Sequence, residues 1–104
     1  YMTSFDMEGQ SNYAFVVVLK DADMGKRALL ESILTENRIE FRRGLSGGGN
    51  QLKQPFFKDT YNDSDFVVVN YIHDYSWYIG NYPSLERNTL DFLLTTLNTA
   101  FKAQ

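Results

Sequence analysis

The chain has 104 residues, 43% of them hydrophobic and 22% charged, which is enough apolar material for one globular domain with its own core. A formal net charge of -3 argues against a general nucleic-acid-binding surface, which would carry a basic excess. The lack of cysteine excludes disulfides, thiol nucleophiles and cysteine-ligated zinc, and no apolar run approaches the ~20 residues that span a bilayer.

Residues 1–11 are polar and mixed, and they are expected to be a lead-in segment. Residues 12–20 form an apolar, β-branched run around Val16-Val17-Val18, which predicts a strand covered on both faces. Asp23 is placed to cap a helix with its carboxylate. Behind it Ala28, Leu29, Leu30, Ile33 and Leu34 recur at helical spacing, and Asn37 is the expected left-handed terminator. Residues 39–43 alternate apolar and polar, as a half-buried strand does.

Residues 44–54 contain Gly44 and the run Gly47-Gly48-Gly49, so they read as a loop closed by Pro55. Phe66 to Val69 suggests a short strand, while residues 70–77 fit neither period. Tyr78-Ile79-Gly80 reads as a strand entering Asn81-Tyr82-Pro83. Ser84 is the expected N-cap of a last helix, with Glu86 in its first turn and a stripe of Leu90, Leu93, Leu94, Leu97 and Phe101. The order predicts a small α+β fold.

The glycine loop holds the most informative local chemistry. Its amides could form a concave nest for an anion, and Arg42 and Arg43 could grip phosphate or carboxylate bidentately. The competing interpretation is a solvated surface loop beside two solvated arginines. The segment matches neither a P-loop nor a dinucleotide fingerprint. His73, the only histidine, lies beside Asp74, and a lone histidine is more often structural than catalytic. No serine stands in a nucleophile elbow, and no acidic residues show metal-ligand spacing. Asn62-Asp63-Ser64 is a formal glycosylation sequon, taken as chance. Tyr71, Tyr75, Trp77, Tyr78 and Tyr82 could stack on a base or sugar, or fill a core.

Residues 39–57, IEFRRGLSGGGNQLKQPFF, resemble the C-terminal region of the DegT/DnrJ/EryC1/StrS family of sugar aminotransferases, which have the aspartate-aminotransferase fold. Residues 77–85, WYIGNYPSL, are similar to a segment before the last helix of that family's sugar-nucleotide 3-dehydratase subgroup, which serves lipopolysaccharide synthesis. The strand and helix at the start fit too, so the resemblance covers about residues 12–100.

The resemblance implies that residues 12–104 are the C-terminal small domain of the aspartate-aminotransferase fold. The parent enzyme would use pyridoxal or pyridoxamine 5'-phosphate on a keto-deoxy-sugar nucleotide, as an aminotransferase or a 3-dehydratase, and would be a homodimer. Its cofactor would sit mainly in a large N-terminal domain, with the Schiff-base lysine or its histidine replacement. The opening Tyr1-Met2 suits a piece of a longer protein. No catalytic residue, cofactor-binding residue or metal ligand is assigned to this chain. Arg42, Arg43, Ser46, Gly48, Gly49, Asn50, Asn81 and Tyr82 are the candidates for touching substrate. The resemblance also implies a short helix over residues 69–76, with Ser76 where relatives carry a small residue or glycine.

The expected setting is the cytoplasm, with neither nucleic acid nor membrane as a partner. The alternative is a stand-alone, non-catalytic α+β module that binds a small ligand. A weaker third possibility, a hydrolase built on His73 and Asp74, lacks a nucleophile. An exposed apolar, aromatic face would favour the domain of a larger enzyme over a complete module.

Overall fold

A computed structural model of the chain describes Asp6 and residues 8–102. The lead-in expected over residues 1–11 lies largely outside these described residues. Three strands and three helices follow: β1 (Ala14–Val18), α1 (Met24–Glu36), β2 (Phe41–Arg43), α2 (Val67–Tyr75), β3 (Ser76–Gly80) and α3 (Arg87–Lys102). The strands form one antiparallel sheet in the order β1-β3-β2. The chain is thus α+β, a small antiparallel sheet packed with helices.

The register sorts side chains into two faces, because residues directly opposite one another share a face. Val17, Trp77 and Arg43 stand in one row, and Phe15, Ile79 and Phe41 in the next. These rows face the core, where Val17, Trp77 and Ile79 pack with Leu30 and Leu34 of α1 and Leu93 and Leu97 of α3. Val16, Tyr78 and Arg42 form the row on the other face. Val16 is exposed there, so β1 is not covered on both faces as its apolar run predicts.

Helix α1 starts as its sequence dictates. The Asp23 carboxylate accepts hydrogen bonds from the amides of Gly25 and Lys26 at 2.8 and 3.0 Å. Of its expected stripe, Leu30 and Leu34 are buried, Leu29 and Ile33 are half-buried, and Ala28 is exposed. Its end differs from expectation by one residue. Asn37 is not left-handed, with φ -89°, and Arg38 takes that conformation with φ 56°. The amides of Arg38 and Ile39 donate to the carbonyls of Thr35 and Leu34, the paired bonds of a Schellman motif. Asn37 stays right-handed while its side-chain amide donates to the Ile33 carbonyl at 2.8 Å.

The strand expected at Phe66 to Val69 is absent, and α2 begins at Val67 instead. Long-range contacts override the β-branched propensity of Val67-Val68-Val69. The Tyr71 hydroxyl donates to the Leu19 carbonyl at 2.7 Å, and the Tyr71 and Tyr75 rings meet at helical spacing, 5.1 Å apart. The helix implied over residues 69–76 is therefore present, but it starts two residues earlier. Ser76 belongs to β3.

Helix α3 begins at Arg87, so neither Ser84 nor Glu86 has its expected place. The Leu85 amide donates to the Tyr82 carbonyl at 3.0 Å, which holds Pro83 and Ser84 inside a turn. The Glu86 carbonyl accepts the first helical bonds, from Thr89 and Leu90. Leu93 and Leu97 are buried in the expected stripe, but Leu94 is exposed. Among the described residues no helix is long and apolar enough to cross a membrane.

Candidate functional site

The glycine loop leaves β2 and folds back on α2. It makes two short 3₁₀ turns, Gly44–Gly47 and Gln51–Lys53. Gly44 and Gly48 hold φ values of 65° and 75°, which favour glycine. Gly49 is buried, and a Cβ there would lie 2.6 Å from His73 Nδ1 and 2.8 Å from the Gly44 carbonyl oxygen.

The expected anion nest does not form. The amides of Gly48 and Gly49 both donate to the Gly44 carbonyl, the latter at 2.8 Å. The Asn50 amide donates to His73 Nδ1 at 3.1 Å. With these donors satisfied internally, the loop offers no concave set of free N–H groups at residues 48–50. The loop is solvated only in part, with Leu45, Ser46, Gly48, Gln51 and Lys53 exposed and Gly44, Gly49 and Asn50 buried. Asn50 is only 2% exposed. Its side-chain amide donates to Asn70 Oδ1 at 2.7 Å, and its Oδ1 accepts the Leu52 amide at 2.9 Å.

His73 is the post on which this loop is hung. Its ring packs near Gly44 and Gly49, and its Nδ1 accepts the Asn50 amide, which leaves the proton of the neutral ring on Nε2. Burial is the largest influence on its basicity and lowers it; Asp74 opposes, while Lys53, Arg43 and Arg27 reinforce the lowering. Its hydrogen-bond partner is thus a backbone amide, not the serine or carboxylate that a hydrolase would need.

The two arginines separate. Arg43 turns to the core side, where its Nε donates to Glu31 Oε1 at 2.5 Å. The same carboxylate oxygen accepts from Trp77 Nε1 at 3.1 Å. Arg43 therefore ties β2 to α1 over the buried tryptophan and is withdrawn from the substrate role expected of it. Arg42 is exposed on the opposite face, beside Tyr78. It has no ion-pair partner among the described residues.

Around Arg42 the sheet's open face brings together three further groups. The Tyr78 hydroxyl donates to the Ser46 carbonyl at 3.2 Å, which pins the first loop turn to the sheet. The Ser46 hydroxyl donates to the Arg43 carbonyl at 3.2 Å. The Tyr13 ring meets Tyr78 edge-on at 6.2 Å and is itself 85% exposed. The result is a cation beside the Tyr78 phenol, with Tyr13 against that ring from the β1 side and a polar loop next to it, open to solvent. Such a surface can grip an anionic group through Arg42 and lay a ring or sugar against the tyrosines.

Of the expected substrate residues, the structure brings Arg42 and Ser46 together on this face. Gly48 is exposed on the same loop, whereas Gly49 and Asn50 are buried structural groups. Asn81 donates to the Asn12 carbonyl at 2.9 Å, and Tyr82 is exposed beyond it. At ~3.3 Å per residue, Asn81 lies about 10 Å along the chain from Tyr78, at the margin of the face. Tyr13 is absent from the candidates that the sequence suggests, which include Tyr78 only in the aromatic group that could stack on a base or sugar or fill a core. Once Trp77 is assigned to the core, strand alternation points Tyr78 the other way. Asn70 and His73, one helical turn apart, share a face of α2, and that spacing signals a common partner.

Among the described residues no cluster of histidine, aspartate and glutamate is arranged to hold a metal. Compared with models of known families, with characterised proteins and with solved structures, the chain matches none of them.

Proposed function

We propose that this chain is the substrate-facing small domain of a pyridoxal- or pyridoxamine-phosphate-dependent enzyme that acts on keto-sugar nucleotides. The observation that carries this is the open sheet face. Arg42, exposed and without an ion-pair partner among the described residues, stands across from Tyr78, whose hydroxyl bonds the loop at the Ser46 carbonyl, and an anionic, ring-bearing ligand would be held there. The motif resemblance of residues 39–57 and 77–85 supplies the substrate class, and both segments border this face. Exposed apolar side chains support a further domain packing nearby: Val67 and Val68 are 73% and 78% exposed at the start of α2.

The described residues do not fit the cofactor itself. Lys20, Lys53, Lys58 and Lys102 are exposed, and Lys26 is ion-paired with Asp21 at 2.9 Å. His73 is held by the Asn50 amide. On this proposal the reactive centre belongs to a separate large domain, and this chain orients the substrate. Positioning of this kind supplies rate by proximity.

Titration of the labelled chain with a nucleoside diphosphate sugar, followed by amide NMR, tests the proposal. Perturbations confined to Arg42, Ser46, Tyr78 and Tyr13, weakened about tenfold in Arg42→Ala, are expected. Perturbation of other surfaces only, or turnover of the sugar nucleotide by this chain alone, overturns it.

A further inference from the structure

The hydrogen bond between Asn50 and His73 joins two segments far apart in the chain, and it has a direction. His73 Nδ1 is the acceptor and the Asn50 N–H is the donor. The bond exists only while Nδ1 carries a lone pair. Protonation puts a hydrogen on Nδ1 and sets two donors facing one another at 3.1 Å. The loop backbone lies close to the ring, since a Cβ added at Gly49 would lie only 2.6 Å from Nδ1.

We propose that His73 is an acid-sensitive latch: the neutral ring holds the glycine loop against α2, and the protonated ring releases it. The groups facing this ring come from every element around it. Asp74 lies on its own helix. Lys53 comes from the second 3₁₀ turn, Arg43 from β2 and Arg27 from α1. The Arg43 guanidinium also reaches the His73 carbonyl at 3.4 Å, and that of Arg27 reaches the Asp74 carbonyl at 3.5 Å. Burial, and the cations of Lys53, Arg27 and the Glu31-paired Arg43 against Asp74, make a positive charge on the ring unfavourable, so its arrival drives the ring and loop apart.

Release would propagate to the open face. Asn50 loses its amide bond, and the Gly49-to-Gly44 bond beside it loses its support. Ser46, whose carbonyl is held by Tyr78, lies four residues upstream on the same loop. The latch thus sets the shape of the surface next to Arg42, whatever ligand that surface takes, and does not depend on the sugar-nucleotide proposal.

Amide and imidazole NMR of the whole chain across pH 7.5 to 5 tests this. The expected result is that the Asn50 amide shift follows the His73 ring titration with one midpoint. Exchange of the Gly49 and Asn50 amides would accelerate at least about tenfold beyond the intrinsic pH effect, while Val17 and Trp77 stay protected. His73→Asn, which retains an acceptor but does not titrate, should abolish the pH step. Titration of His73 with no response at Asn50 overturns the proposal. So does loss of Val17 and Trp77 protection in the same step, which would mark global unfolding. Should the variant fail to fold, the native chain's two titration curves decide alone.

Discussion

Arg42 and Arg43 are neighbours in the chain and stand on opposite faces of one sheet, Arg42 across from Tyr78 and Arg43 across from Trp77. Strand alternation alone produces this split, and it gives the two guanidiniums different work. Arg43 shares Glu31 Oε1 with the buried Trp77 indole, at side-chain exposures of 25% and 28% for the ion pair. Arg43→Ala should therefore cost about 1–2 kcal/mol, since the remaining solvent screens the pair and water can partly replace the arginine. Arg42→Ala removes an exposed side chain and should change stability by less than about 0.5 kcal/mol. Urea denaturation of the two variants checks the contrast, and equal losses would contradict the assigned faces.

The extent to which the sequence anticipates this molecule follows the range of the interactions involved. Asp23 caps α1 through atoms two and three residues away, so its role is legible from the local pattern. The Tyr78-to-Gly80 part of β3, the α1 apolar repeat and the apolar stripe of the final helix are equally local, although the starts of β3 at Ser76 and of α3 at Arg87 are not. Nor is the glycine loop. Its conformation depends on His73 and Asn70, which lie more than a helix length away in sequence and become its partners only after folding. Ser84 fails as a cap for a related reason. Pro83 favours the turn closed by Leu85 and Tyr82, and that turn takes up Ser84 before a helix can start on it. Val67 to Val69 have strand propensity, yet the Tyr71 hydroxyl bond to Leu19 holds them in the helix.

Gly49 should tolerate no side chain. A Cβ there meets His73 Nδ1 at 2.6 Å and the Gly44 backbone at 2.8 Å, so Gly49→Ala must displace the loop or the ring. A loss of about 2–3 kcal/mol is expected, as for other overpacked buried sites. Gly80→Ala places its methyl in open space, with no atom within 4 Å, and should be close to neutral. Thermal unfolding of both variants reads the difference. A Gly49→Ala protein as stable as Gly80→Ala would mean that the loop does not pack on His73.

The stability of the fold should fall as pH drops below about 6.5, the ordinary histidine value. Burial lowers the basicity of His73 in the folded chain, so between its folded midpoint and 6.5 the unfolded state binds more protons. Stability then rises with pH across that window and is lost as pH falls through it. The slope from one group cannot exceed about 1.4 kcal/mol per pH unit. Urea midpoints measured from pH 7.5 to 5 check this, with His73→Asn expected to flatten the profile. A native profile that is flat, or that rises toward acid, would refute the sign.

Arg38 is a non-glycine residue in the left-handed region, at φ 56°, and it closes the Schellman end of α1. That conformation brings an L-residue's Cβ close to its own backbone and costs roughly 1–2 kcal/mol relative to glycine. Glycine in turn loses more backbone freedom on folding, which offsets part of the gain. Arg38 is exposed and has no hydrogen-bond or ion-pair role for its side chain among the described residues, so its removal forfeits little. Arg38→Gly should accordingly stabilise the chain by about 0.5–1 kcal/mol. Asn37→Gly provides the contrast. Asn37 has ordinary dihedrals, and its side chain bonds the Ile33 carbonyl, so glycine there should destabilise by about 1 kcal/mol. Opposite signs at adjacent positions in thermal unfolding would place the helix terminator at residue 38. Stabilisation by Asn37→Gly instead would return it to the position that the sequence alone suggests.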